Sequence, residues 1–219
     1  MTIRVIDVET TGVEDDDKIC EVAFVELDEN ALDWPTYQSL VNPQIPIPPE
    51  TSAIHHITDY MVKDAPLYGD IHEHLMGADI YVAHNAPFDK RFLGGLGGKW
   101  ICTYRCALHL WPEAPRHSNQ TLRYWKRLQG PPDGCGHAHR ALYDAYTTAR
   151  IFIEQCSECD IDDLIDLSNK PALLHKVNFG KHRGSLWSEV DKSYLNWMIN
   201  QGKKSWDEDT WHTINHHAS

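Results

Sequence analysis

The chain has 219 residues, of which 42% are hydrophobic and 24% charged, with 13 Gly, 12 Pro and a net charge of -12 at neutral pH. This composition excludes a disordered or collagen-like chain and fits a soluble globular protein with one main core. The acidic balance excludes a protein that grips nucleic acid along a broad basic face.

The amino terminus, Met1-Thr-Ile-Arg-Val-Ile-Asp7, is charged where a signal peptide needs an apolar stretch, and no apolar run is long enough to cross a bilayer. A cytoplasmic chain with no membrane partner is expected. Its six cysteines, at 20, 102, 106, 135, 156 and 159, are then expected as free thiols. Cys102, Cys106 and His109, or Cys156 and Cys159, form only incomplete zinc sets.

Ile3 to Glu9 is a nearly continuous β-branched apolar run, as in a strand covered on both faces. Lys18 to Leu27 and Tyr37 to Val41 are expected to complete an antiparallel meander, turning at Glu14 to Asp17 and Asp28 to Asp33. Pro43 to Pro49 interrupts regular structure, and Pro49 to Ile54 starts a helical turn. Asp79 to Ala83 reads as a short strand before a helix over Ala86 to Leu93, with Asn85 as N-cap and Pro87 in its first turn. Trp100 to Thr103 repeats the strand-then-helix pattern. Ser118 or Asn119 caps a helix running to Leu128, and Gly130 to Gly136 is a loop. Arg140 to Gln155 is a helix whose apolar stripe is Leu142, Ala145, Ala149, Phe152 and Ile153. Beyond Pro171, Val177 to Gly180 and Leu186 to Ile199 suggest a small strand plus helices, and residues 205–219 a mobile tail.

Asp7 and Glu9 share one face of the first strand, where two repelling carboxylates need a cation or strong donors opposite them. Taken alone, such a pair reads more readily as solvated turn residues. Two further acids change the balance. Asp89 lies in the first turn of a helix, within Ala83-His-Asn-Ala-Pro-Phe-Asp89, and Asp144 lies on the polar edge of another, within His139-Arg-Ala-Leu-Tyr-Asp144. Five helical positions would turn His139 about 140° away from Asp144, so His139 belongs to the approach loop, which Gly134 and Gly136 permit.

These residues resemble a known family. Val5-Ile-Asp-Val-Glu-Thr-Thr-Gly12, His84-Asn-Ala-Pro-Phe-Asp89 and His139 with Asp144 are similar to the three exonuclease motifs of the DnaQ-like superfamily, in its DEDDh subclass. Ala53-Ile-His-His-Ile-Thr58 is similar to another element of that family, with His56 in place of the usual glycine. Trp100-Ile-Cys-Thr103, Leu110-Trp-Pro112, Ser118-Asn119 and Phe179-Gly-Lys-His-Arg-Gly184 extend the similarity, most of all to the bacterial exonuclease X group, over all but about the last fifteen residues.

The resemblance implies an α/β, ribonuclease H-like mixed sheet flanked by helices, forming an exonuclease domain over 1–168 with a small C-terminal module over 171–204. It implies that Asp7, Glu9, Asp89 and Asp144 bind two Mg²⁺ ions, for which Mn²⁺ can substitute, and that His139 is the general base for water attack. The partner implied is DNA with a free 3′ end, single-stranded or overhanging. Thr10, Thr11, Gly12, Val13, His55, Asn85 and Phe88 are the candidate contacts to its terminal nucleotide. A 3′ exoribonuclease, or a non-catalytic nucleic-acid-binding subunit, is the alternative. Residues 170–204 hold seven Lys or Arg against two acids, a net +5, whereas residues 1–169 hold thirteen against twenty-seven, a net -14. The module is therefore locally basic, with Lys176, Lys181, His182 and Arg183 suited to phosphates. Trp187, Tyr194 and Trp197 are expected to form its core.

Overall fold

The computed structural model describes residues 1–28 and 34–218. Strand β1 (Ile3–Thr10) pairs antiparallel with β2 (Ile19–Leu27), which pairs antiparallel with β3 (Thr36–Leu40). Of the turn expected over Asp28 to Asp33, residues 29–33 lie outside the described residues. Helices α1 (Pro49–His55), α2 (Asp59–Val62) and α3 (Tyr68–Leu75) lead to β4 (Ile80–Ala83). Then α4 (Ala86–Leu93) leads to β5 (Lys99–Cys102), and both of these short strands run parallel to β1. The sheet order is β3-β2-β1-β4-β5, the expected mixed sheet with a meander at one edge.

The alternation of strand side chains divides the core in two. Ile6, Val8, Val22, Phe24 and Tyr81 face α3 and α4. Ile3, Val5, Val82 and Ile101 face the other layer, made of α5 (Thr103–Leu110), α7 (Ala141–Cys156) and α8 (Ile161–Ser168). Between α5 and α7 in sequence, α6 (Asn119–Trp125) packs Leu122 against Trp111 and Ile151. It stops short of the expected Leu128 because Arg127 turns left-handed, at φ 57°.

The buried arc of α7 is also rotated from the expected stripe. Ile153 is 42% exposed, whereas Ile151, Thr148 and Gln155 are buried. The helix is covered by the sheet on one side and by α5 and α6 on the other. Polar residues with partners therefore occupy the middle of its buried face: Thr148 bonds Asn119, and the Gln155 amide donates to the Thr103 carbonyl (2.8 Å).

The last part of the chain departs most from expectation. Val177 to Gly180 is not a strand but joins through a single bridge, Lys176 to Leu186. Residues 208–218, expected as tail, form α10 (Glu208–Ala218), which packs on α9 (Lys192–Asn200) and buries Ile214 beside Trp187, Leu195 and Met198. What fixes α10 is largely polar: Asp209 Oδ1 accepts the Ala172 N–H (2.8 Å), and Thr213 Oγ1 accepts the Leu174 N–H (2.9 Å). No described helix is long and apolar enough to cross a membrane, and all six cysteines are free thiols.

Candidate active site

The residues Ile3, Val5, Asp7 and Glu9 form one row on β1, so the two acids continue an apolar row out beneath the amino-terminal end of α7. Asp144 sits in the first turn of that helix and is 8% exposed. One carboxylate oxygen from each of Asp7, Glu9 and Asp144 lies within 4.8 Å of the others. Asp89 approaches from the opposite side. Pairing of β1 with β4 ends at Val5, and the Val8 N–H left beyond it donates to Asp89 Oδ1 (3.2 Å). That bond places Asp89, 2% exposed, beside Asp7 but outside the tight group of three.

No Lys or Arg ion pair reaches Asp7, Glu9, Asp89 or Asp144 among the described residues, and their protonation reflects it. Burial pushes Asp7 well above the ordinary carboxylate range, with repulsion from Asp89, Asp144 and Glu9 adding to it. Burial also raises Glu9 to about 8, with Asp144 and Glu21 contributing. Burial raises Asp89 to about 8 against the opposing bond from Val8. It raises Asp144 too, although the His139 N–H bond works the other way. Four carboxylates that cannot all ionise together form a donor set of hard oxygens suited to a divalent cation.

His139 lies in the loop before α7, as expected, with Gly134 and Gly136 at φ 94° and 89°. Its own φ is 65°, and its N–H donates to Asp144 Oδ2 (2.7 Å), so one main-chain bond ties the histidine to a cluster acid while leaving the imidazole exposed. Gln120, at the start of α6, donates to the other oxygen of Asp144 (3.3 Å).

Glu21 was not among the expected site residues. It faces Glu9 across the β1–β2 ladder and is fully buried. Its carboxylate accepts from Arg140 Nε (3.0 Å), the Ala141 N–H (3.0 Å) and Gln38 Nε2 (2.9 Å). Arg140 is the residue between His139 and the first turn of α7, so Glu21 pins both the loop and the helix that carry the catalytic candidates. Within a strand reading Ile-Cys-Glu-Val-Ala-Phe-Val, a lone acid carries no signal of this role; its register opposite Glu9 does. Glu21→Gln should lower activity by about 10- to 100-fold through misplaced His139 and Asp144. A Mg²⁺ titration of the rate at matched thermal stability checks this, and an unchanged rate would remove Glu21 from the site.

The expected substrate contacts divide. Thr10 Oγ1 donates to the Gly12 carbonyl (2.6 Å), and Thr11 donates its hydroxyl to Asp17 (2.7 Å) and its N–H to the Lys18 carbonyl (2.9 Å). Both threonines are buried and build the turn itself. A Cβ at Gly12 would meet the Asp17 carboxylate at 2.3 Å, so any other residue there would displace the acid that holds Thr11. Val13 projects from the turn, 66% exposed. Arg91 on α4 donates to the Val13 carbonyl (2.6 Å) and pairs with Asp15, joining the turn to the helix that bears Asp89.

Phe88 is half-buried against Phe92, with ring centroids 5.0 Å apart. Asn85 is exposed, but it is not the expected side-chain cap: at φ 70°, ψ 48° it is left-handed and makes no capping bond. His55 is buried, and its Nδ1 accepts the Ile57 N–H (3.0 Å), which leaves the proton on Nε2 near Cys20 Sγ (3.8 Å). Burial lowers its pKa. It supports the end of β1 from within rather than facing the cluster. His56 adopts the left-handed conformation (φ 60°) that a glycine would supply, and its ring meets His137 edge-on at 4.8 Å.

Comparisons with known proteins agree with this arrangement. An exonuclease family model, RNase_T, matches residues 5–95. Exodeoxyribonuclease 10 of Escherichia coli strain K12 is 40% identical over 205 residues, covering 90% of each chain. An exonuclease of Escherichia phage 186 is 34% identical over 67% of this chain and 84% of its own. The solved structure of exonuclease X in complex with 5′ overhanging duplex DNA superposes with a TM-score of 0.69 at 38% identity, covering 76% of this chain and 99% of that one. The nuclease domain of 3′hExo, described as a DEDDh family member, shares the fold with a TM-score of 0.59 at 18% identity, over 72% of this chain and 92% of its own. Identity at the 40% level over 90% of the chain makes it a member of the exodeoxyribonuclease 10 (exonuclease X) family and a 3′-to-5′ exonuclease.

Proposed function

We propose that the chain releases 5′-mononucleotides from the 3′ ends of DNA, single-stranded or duplex. In this reading, Asp7, Glu9, Asp89 and Asp144 hold two Mg²⁺ ions, which Mn²⁺ can replace, and His139 acts as the general base. The observation that carries the reading is the convergence of Asp7, Glu9 and Asp144 to within 4.8 Å, beside a histidine fixed by its own main-chain bond to Asp144. DNA as the substrate is supported by the name exodeoxyribonuclease borne by the 40% identical relative and by the duplex DNA in the exonuclease X structure. Free thiols, four of them buried, suit a reducing cytoplasm.

Divalent ions bound there would neutralise charge on the scissile phosphate and acidify a water. The protein's own residues do the rest. Asp7 interacts with Asp89, Asp144 and Glu9 together, so it would share with all three in holding the ions. The His139 imidazole, free to face solvent, takes the proton from the attacking water. Asn85, Phe88 and the Gly12–Val13 tip border the cluster and receive the terminal sugar and base, with Val13 pressing on the base and Phe88 backed by Phe92. Thr10, Thr11 and His55 shape that pocket from behind.

The test is gel analysis of a 5′-labelled single-stranded DNA and a matched RNA, each in Mg²⁺ and in chelator. A ladder shortening from the 3′ end of the DNA, stopped by chelator, is expected. Faster digestion of the RNA would overturn the choice of DNA, and digestion in chelator would overturn the metal assignment.

A further inference from the structure

The catalytic cluster uses none of the cations beyond residue 170. Lys176, Lys181, Arg183, Lys192, Lys203 and Lys204 are all exposed, and none pairs with an acid among the described residues. They lie in a segment of net +5 within a chain of net -12. Such an accumulation opposes the charge of the rest of the chain and is complementary to an anionic ligand.

The aromatic residues nearby are arranged on a helix. Asp191 caps α9 by accepting the Tyr194 N–H (2.9 Å), and Leu195 and Met198 then point into the module's core with Trp187 and Ile214. Tyr194 and Trp197, three residues apart, share another face. Their rings stack with centroids 5.2 Å apart and planes 22° from parallel. Trp197 remains 49% exposed, so the expectation that it completes the module's core is not met. The turn Gly180–His182 lies against Tyr194 because residue 180 is glycine: its φ is 59°, and a Cβ there would come within 3.2 Å of the tyrosine hydroxyl. That approach sets Lys181 Nζ 4.6 Å over the Tyr194 ring and the His182 ring 4.6 Å from it.

The module is fastened through α10 to the first turn of α5. Arg105, three residues beyond the carboxyl end of β5 in the first turn of α5, pairs with Glu208 (3.0 Å) and Asp209 (3.6 Å) of α10. Tyr104 beside it meets His84 edge-on at 5.8 Å, where β4 ends. Asp7 and Glu9 project from β1 toward its carboxyl end, and Asp89 lies on α4, the helix that follows β4.

We propose that Trp197, Tyr194, Lys181 and Arg183 form a second, non-catalytic site that binds single-stranded DNA upstream of the terminal nucleotide. Trp197 stacks on a base, while Lys181 and Arg183 meet phosphates, the combination that single-strand binders use. An exposed tryptophan alone would be unremarkable. Its stacking on a tyrosine whose ring also carries the Lys181 ammonium distinguishes this patch. The inference rests on the reading of DNA as substrate and adds a prediction about strand length.

The test compares the wild type with Trp197→Ala, Trp197→Phe and the double variant Lys181→Ala/Arg183→Ala on a trinucleotide and on a 20-nucleotide single strand in Mg²⁺. Hydrolysis of the trinucleotide by the wild type tests the catalytic reading separately. For Trp197→Ala, KM on the 20-mer should rise about tenfold at unchanged kcat, with the trinucleotide unaffected and Trp197→Phe largely restoring the wild-type value. The double variant should reduce the salt dependence of 20-mer binding by about one unit of logarithmic slope. Equal losses on the two lengths, an equal loss on a blunt 20-base-pair duplex, or no loss on the 20-mer would each overturn the second site.

Discussion

Asp7→Asn should lower the rate of nucleotide release by roughly 10³-fold or more, because several kcal/mol of transition-state charge stabilisation depends on the ions this carboxylate holds. The same change should stabilise the metal-free protein. Asp7, Glu9, Asp89 and Asp144 all have pKa values raised on folding, Glu9 and Asp89 to about 8. An acid whose pKa rises on folding binds more protons in the folded state. Its contribution to stability is complete below the unfolded value, near 4, and is lost as pH climbs to the folded value. In chelator, the wild type should therefore lose stability between about pH 4 and pH 8 to a greater extent than Asp7→Asn. Mg²⁺ should restore the wild type at pH 8 by mass action. Each kcal/mol of relieved repulsion raises Tm by about 2–4 °C in a chain of this size. Thermal melts at pH 5 and pH 8, with Mg²⁺ or chelator, give the comparison. Retained hydrolysis by Asp7→Asn, or melting curves for the two proteins that stay parallel with pH, would break the assignment.

His139→Ala should cost on the order of 10²- to 10⁴-fold in kcat, the range that a positioned general base contributes. The bond that holds this loop to Asp144 comes from the main chain, so the substitution leaves it in place and metal affinity should change little. Single-turnover rates measured across a Mg²⁺ titration separate a proton-transfer role from a structural one: the maximal rate should fall while the half-saturating Mg²⁺ concentration stays near that of the wild type. A variant rate equal to wild type would show that another group takes the proton.

The cluster acids were legible because each stands at the boundary of an element with strong punctuation: Asp7 and Glu9 where an apolar strand runs out, Asp89 after Asn-Ala-Pro, and Asp144 just inside a long amphipathic helix. The His139 loop position followed from helical geometry alone. Other residues were hidden for physical reasons. Glu21 lies within an apolar strand, where only the register opposite Glu9 and the reach of Arg140 give it meaning. His55 carries the polar character of a binding residue, yet its hydrogen bond to Ile57 draws it inward. Helix α10 reads as a tail in the sequence because hydrophobic counting cannot see a helix fixed by Asp209, Thr210 and Thr213, all buried and hydrogen-bonded. Likewise, the α7 stripe was misplaced because Thr148 and Gln155 occupy a buried face that apolar residues alone do not mark.

Three of the corners around the cluster are made by residues other than glycine in the left-handed region: His56 at φ 60°, Asn85 at φ 70° and His139 at φ 65°. For a β-carbon-bearing residue that conformation costs on the order of 1 kcal/mol, less for asparagine, and glycine avoids it. Directed evolution for heat tolerance alone would thus drift toward glycine at 56 and 139, and at 139 would exchange the proposed general base for relaxed backbone. A thermostable nuclease from this scaffold is better sought by filling or bracing surfaces away from these corners.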